Sequence, residues 1–184
     1  RVGLHTDVRI VNADGADLRP AVPGEIWVRG PHVASGYWND PEASEASFSD
    51  GWFRTGDVAE YDDNGDYWFR DRIKNVIISG GENIYPAEAE RILREVAGIQ
   101  DCCIVGRPDA RWGAVPVAVV VAAETDGADQ VSREDITSHF EGQLARYKHP
   151  RDVVFVAELP KNAMGKVRID EVSRLVAEAT NAPA

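Results

Sequence analysis

Lys166 closes the run PKNAMGK (residues 160–166), where a cation follows a glycine in a stretch with no hydrophobic period. A lysine so placed can neutralise phosphate oxygens. The phosphate loop built on Gly-x-x-x-x-Gly-Lys-Ser/Thr needs a glycine where Pro160 stands and a hydroxyl where Val167 stands, so that reading is excluded. Two readings remain: an idle surface turn, or a lysine carried to a site elsewhere. Residues 144–169 hold six basic side chains (Arg146, Lys148, Arg151, Lys161, Lys166, Arg168) against two acidic ones (Asp152, Glu158). This basic island suits a small anionic ligand; chance clustering over so short a window is its competitor.

The chain as a whole carries a formal charge of −11 over 184 residues. So acidic a protein is repelled by nucleic acid and by anionic lipid, which argues against both as partners. Cys102 and Cys103 are adjacent; neighbours on a strand point to opposite faces and do not bridge. No disulfide framework is expected, and a reducing cytoplasm fits best. Four histidines without a Cys-x-x-Cys give no zinc pattern, so no metal site is expected on these residues. No apolar run is long enough for a transmembrane segment, and the opening Arg1-Val2-Gly3-Leu4-His5 shows no signal-peptide pattern. The only methionine is Met164, so the chain is expected to be a piece of a longer protein.

These residues need elements to hold them. Asp7 to Asn12 and Glu25 to Arg29 alternate as half-buried strands. Asp40-Pro41 reads as a capped helix start, with the helix reaching about Phe48. Two further strands, 58–61 and 67–70, flank the turn at 62–66. Val76-Ile77-Ile78 reads as a short buried strand broken by Ser79-Gly80-Gly81. A helix opens at Pro86 and runs to Gly98. Strands at 102–105 and 115–122 follow. A capping box at Ser132 starts a helix with Ile136, Phe140, Leu144 and Tyr147 on one stripe. A strand at 153–156 and a helix at 170–179 complete the chain. The expected class is α+β: a small β-rich segment over residues 1–73, then a compact α+β domain over 74–184 with a small central sheet flanked by helices.

Six motifs in order carry a family resemblance: Gly24-Glu25-Ile26 with Gly36-Tyr37-Trp38 behind it; Phe53-Arg54-Thr55-Gly56-Asp57; Asp71-Arg72-Ile73-Lys74; Ile78-Ser79-Gly80-Gly81-Glu82-Asn83-Ile84-Tyr85-Pro86-Ala87-Glu88; and PKNAMGK. The sequence resembles the C-terminal portion of an adenylate-forming enzyme, the AMP-binding superfamily of acyl-CoA synthetases, non-ribosomal adenylation domains and beetle luciferases. The Glu82-Asn83-Ile84-Tyr85-Pro86 run is closer to acyl-CoA synthetases. The resemblance implies an acid–thiol ligase. A carboxylate and Mg-ATP give an acyl-adenylate and pyrophosphate; the small domain then rotates, and the thiol of coenzyme A takes the acyl group.

Roles follow from the resemblance, residue by residue. Asp57 accepts hydrogen bonds from the ribose hydroxyls of ATP, with a plain turn aspartate as the bland alternative. Arg72 also reaches the nucleotide, or pairs with Asp71 or another acid. Lys74 is the hinge, or an exposed lysine at a strand edge. Gly80 and Gly81 line the pantetheine tunnel, or make an ordinary tight turn. Lys166 is catalytic, bridging the carboxylate and ATP in the first step; Asn162 stands where Thr is frequent. Trp112 and Tyr147 flank the CoA adenine, and His149 and Arg151 contact its phosphates, although Tyr147 also fits a core stripe.

Magnesium ligands, the phosphate loop and the acid-binding wall are expected in a missing N-terminal domain, so the fragment alone should be inactive and the carboxylic acid substrate stays open among fatty, aryl and short-chain acids. A homo-oligomer is also left open. Two alternatives stand beside the CoA ligase: an enzyme that stops at acyl-AMP or loads a carrier protein, and a non-catalytic binding module retaining the fold.

Overall fold

In a computed structural model of the chain, residues 3–124 and 130–181 are described, so Arg1 and Val2 of the opening stretch lie outside the described residues. The chain separates into two units that divide between Lys74 and Asn75.

The first unit is an antiparallel sheet of β1 (Asp7–Val11), β2 (Gly24–Arg29), β3 (Phe48–Ser49), β4 (Trp52–Tyr61) and β5 (Tyr67–Arg72). The order is β1-β2-β4-β3, with β5 also paired to β4. One helix, α1 (Pro41–Ser47), precedes β3. Its start is as the residues dictate: Pro41 fills the first helical position and Asp40 Oδ1 accepts the Ala43 N–H at 3.0 Å. Indole and guanidinium groups stack on this sheet, with Arg9 5.2 Å and Arg29 4.5 Å from the Trp52 ring centroid.

The second unit follows a 3-10 turn at Ile73–Asn75. It contains β6 (Ile77–Ser79), β7 (Glu82–Ile84), α2 (Pro86–Leu93), β8 (Ile99–Asp109), β9 (Gly113–Ala122), α3 (Arg133–His139), a 3-10 turn at Arg146–Lys148, β10 (Asp152–Phe155) and α4 (Ile169–Asn181). The sheet order is β10-β9-β6-β7, with β8 also on β9; β10 runs parallel to β9 and the other pairs are antiparallel.

β9 reads as an unbroken apolar run because both of its faces are covered. Val117, Val119 and Val121 pack with Leu159 and with Val172 and Val176 of α4. Ala118 and Val120 pack on the opposite face with Ala89, Ile92 and Leu93 of α2, and with Ile136 and Phe140 at α3. The expected α+β class, a central sheet flanked by helices, is the observed one. Cys102 and Cys103 fall into opposite cores and are both free.

Three elements differ from the sequence reading. Gly80-Gly81 does not lead from strand to helix; it joins β6 to β7 as a hairpin, with Ser79 opposite Glu82. The helix from Ser132 ends at Phe140, and Gly142 follows at φ +75°, so Tyr147 belongs to a separate 3-10 turn rather than to a helical stripe. α2 ends at Leu93, short of Gly98. Among the described residues, no helix is long and apolar enough to cross a membrane.

Candidate functional site

Asp57 and Arg72 are brought together in the first unit. They are register partners across β4 and β5, and Arg72 Nε lies 2.7 Å from Asp57 Oδ1. The separation is that of an ion pair, yet the N–H does not point along a hydrogen bond, and Oδ1 has no other hydrogen-bond partner among the described residues. The carboxylate therefore keeps acceptor capacity. The Asp71 carboxylate takes a different partner: its Oδ1 accepts the Arg72 backbone N–H at 2.7 Å, and the residue is 5% exposed.

The strand around Asp57 is irregular, and polar side chains hold it. The β2–β4 ladder shifts register between Glu25 and Trp27, and the β4–β5 ladder between Val58 and Ala59. Such bulges re-aim side chains. Thr55 Oγ1 donates to the Ile26 carbonyl at 2.8 Å and accepts the Asp57 N–H at 3.1 Å. Glu25 accepts the Gly56 N–H at 3.0 Å through Oε1 and the Trp27 indole N–H at 2.8 Å through Oε2. Glu25 and Thr55 were visible only as motif letters; a carboxylate and a hydroxyl flanking a glycine were the available signal.

Lys74 is exposed in the 3-10 turn where the two units divide.

In the second unit, Gly80, Gly81 and Trp112 come together. The two glycines have φ of +61° and +88°, the left-handed pair that a two-residue hairpin turn demands. The Trp112 indole lies over Gly80, where an added Cβ would stand 2.8 Å from Cε3; around Gly81 there is open space. The Gly80 N–H donates to the Trp112 carbonyl at 2.8 Å. Trp112 is 38% exposed, and the Arg111 guanidinium stands 4.7 Å from its ring centroid. Asp109, not anticipated, shapes this turn: Oδ1 accepts the N–H groups of Trp112 (2.9 Å) and Arg111 (2.8 Å). Those bonds, that from Trp112 foremost, hold its carboxyl below the ordinary value, with help from Arg107 and Arg151.

Tyr147, His149 and Arg151 lie along the 3-10 turn and its exit to β10. Tyr147 is 41% exposed, with Lys148 Nζ 5.8 Å from the ring centroid. His149 rests on Phe140 and its Nε2–H donates to the Leu144 carbonyl at 2.8 Å. His149 and Arg151 line an open groove of about 630 Å³ with Glu134, Glu141 and Arg146. Tyr147 and Trp112 lie outside that groove.

The basic island is partly consumed inside the unit. Lys148 pairs with Glu88 at 2.7 Å, Lys161 with Asp101 at 2.6 Å and Arg168 with Glu171 at 2.7 Å. Among the described residues, Arg146, Arg151 and Lys166 have no ion pair. Lys166 is exposed on the loop between β10 and α4, which carries neither Trp112 nor Tyr147. Among the described residues, no group of three or more His, Cys, Asp or Glu side chains is placed to hold a metal ion.

Comparison with known proteins gives this arrangement a context. Residues 88–166 match the AMP-binding enzyme C-terminal domain, and residues 1–38 match the AMP-binding enzyme model. The chain is 51% identical over 180 residues to an indoleacetate–CoA ligase of Aromatoleum aromaticum, covering 98% of this chain and 35% of that protein. Among solved structures it is similar to o-succinylbenzoate CoA synthetase (MenE) from Bacillus subtilis in complex with the acyl-adenylate intermediate OSB-AMP. There the TM-score is 0.85 and the identity 37%, over 92% of this chain and 34% of that one; the same enzyme is known with ATP and magnesium ion. The amide bond synthetase McbA from Marinactinospora thermotolerans matches at TM-score 0.82 and 35% identity, over 94% of this chain and 35% of its own. The chain thus spans about a third of the length of the relatives it matches. In sequence and in architecture, it belongs to the AMP-binding, adenylate-forming enzyme family and carries that family's C-terminal domain.

Proposed function

We propose that this chain is the C-terminal part of an ATP-dependent acyl-CoA synthetase, residues 1–73 completing a large AMP-binding domain and 74–184 forming a mobile domain. In the first step a carboxylate oxygen attacks the α-phosphorus of ATP. A C(O)–O–P link forms, the bond from the α-phosphorus to the bridging oxygen breaks, and pyrophosphate leaves. Lys166 places its ammonium against the oxygens where negative charge builds. At about 4 Å and an effective dielectric near 20, one such charge contributes about 4 kcal/mol, roughly a thousandfold in rate. In the second step the CoA sulfur attacks the acyl carbon, the C–O bond to AMP breaks, and the thiol proton is released.

Asp57 and Arg72 act on the nucleotide. The partly exposed Asp57 carboxylate accepts from the ribose hydroxyls, and the guanidinium is close enough to Asp57 to serve the same ligand. Lys74 is the hinge, at an element end where backbone angles can absorb a rotation. The Gly80-Gly81 turn, with open space at Gly81, lets a pantetheine arm approach the backbone. Trp112 and Tyr147 offer aromatic faces to the CoA adenine, and Arg151 faces its phosphates, joined by His149, whose Nδ1 donates to them in the imidazolium form. Magnesium supplies charge neutralisation of the phosphates, and its ligands are assigned to the missing N-terminal domain.

The observation that carries this reading is Lys166: an exposed ammonium without an ion pair among the described residues, beside a second loop lysine that is tied to Asp101. Replacing Lys166 by Ala in the full-length protein tests it. Carboxylate-dependent pyrophosphate exchange should fall by roughly a thousandfold; unchanged exchange would remove the catalytic role and favour a non-catalytic module. Calorimetry on this chain alone should show neither tight ATP binding nor hydrolysis.

A second reading concerns the acceptor. The similarity to an amide bond synthetase supports an enzyme that hands its adenylate to something other than CoA, or stops there. Supplying the full-length protein with CoA, and looking for thioester, separates the two.

A further inference from the structure

We infer that Asn162 is the positioning residue for Lys166: its side-chain oxygen bonds two backbone N–H groups, one of them that of Lys166, and fixes where the ammonium starts. This inference rests on the role proposed for Lys166.

The loop is not a slack arm. Asn162 Oδ1 accepts the Met164 N–H at 3.0 Å and the Lys166 N–H at 2.9 Å. The Asn162 N–H donates to the Lys166 carbonyl at 2.9 Å, and the Gly165 N–H to the Asn162 carbonyl at 2.9 Å. Gly165 adopts φ +77°, which closes the turn. Below the turn, Lys161 bridges to Val167, and Arg168 N–H donates to the Pro160 carbonyl. Lys161 is held to Asp101 of β8 at 2.6 Å. Four hydrogen bonds, two of them to one carboxamide oxygen, thus hold the Lys166 backbone in the turn.

The same turn occurs twice more among the described residues. Asn12 Oδ1 accepts the N–H groups of Asp14 and Ala16, and Gly15 has φ +77°. Asp62 Oδ1 accepts those of Asn64 and Asp66, and Gly65 has φ +75°. In all three the first residue's N–H donates to the carbonyl four positions on, and the glycine N–H donates back to the first residue's carbonyl. The fifth residue is Ala16 in one, Asp66 in another and Lys166 in the third. The unit that makes an ordinary hairpin turn elsewhere here carries Lys166, a loop cation without an ion pair among the described residues.

The test uses the full-length protein. Asn162→Ala should lower carboxylate-dependent pyrophosphate exchange by roughly tenfold to a hundredfold, the range for a misplaced reacting group. Thioester formation from supplied acyl-adenylate should stay within about twofold, which also certifies that the variant is folded. Asn162→Asp should restore most of the exchange, since Asp62 builds the same turn. Asn12→Ala, which cuts the equivalent bonds far along the chain, should leave exchange unchanged. Exchange unaffected in Asn162→Ala, both half-reactions falling together, or no recovery in Asn162→Asp would each overturn the positioning role. If instead Lys166→Ala itself leaves exchange intact, it is the parent assignment of Lys166 that fails.

Discussion

Asp57 and Arg72 face each other across β4 and β5 at 2.7 Å, close enough to attract and too poorly aligned to satisfy the carboxylate. A pair in that condition is stabilised by charge while keeping lone pairs for a third party. Removing Arg72 would leave a half-buried carboxylate without its cation. For Arg72→Ala in the full-length protein we expect the KM for ATP to rise by about tenfold, the equivalent of one charged hydrogen bond. Steady-state kinetics at saturating acid checks this; an unchanged KM would reduce the pair to a strand clasp.

Gly80 and Gly81 should not be equivalent. Both need a left-handed backbone, which costs an L-residue about 1–2 kcal/mol. Only at Gly80 does an added methyl also meet Trp112, at 2.8 Å from Cε3. Gly80→Ala should destabilise by about 1–3 kcal/mol more than Gly81→Ala, measured as the difference in urea midpoints between the two variants. Equal midpoints would mean that the indole yields without cost.

The two cysteines should be chemically silent. Burial pushes the Cys102 thiol up to about 11 and the Cys103 thiol up to about 12. At pH 8 the thiolate of Cys102 is then roughly one part in a thousand. Iodoacetamide should label neither residue in the native protein and both after denaturation, read by mass spectrometry.

Asp152 should make stability fall in acid. Burial works to raise its pKa, but hydrogen bonds from Arg107, the Val153 N–H and Arg133 outweigh it, and the net shift is downward from 3.8. A lowered carboxylate contributes stability above the unfolded value and loses it as pH drops through the folded one. Asp152→Asn should cost about 2 kcal/mol at pH 7, and the gap to the parent should close below about pH 3.8. A gap that persists at pH 2 would assign the loss to packing.

Much of the second unit was legible because its signals are local. The apolar run of β9, the capping box at Ser132 and the proline opening α2 each depend on a few neighbouring side chains. β7 was not legible: Glu82 and Asn83 are exposed and only Ile84 is buried, so three residues offer no alternation. The pairing of β7 with β6 becomes evident only through the two glycines as a hairpin turn. The stripe Ile136, Phe140, Leu144 and Tyr147 kept helical spacing across a break at Gly142, which periodicity by itself does not register. In the sequence Asn162 is marked only as standing where Thr is frequent, because its work, two bonds to backbone N–H groups, leaves no mark in hydrophobic pattern.

The double-sided burial of β9 has a corollary for evolution and for engineering. Residues 75–124 and 130–181 hold two buried clusters of their own, one on each face of a single strand. That piece is portable: spliced onto a different body, it should arrive already folded, with its lysine and its glycine turn in place, and melt as one cooperative entity.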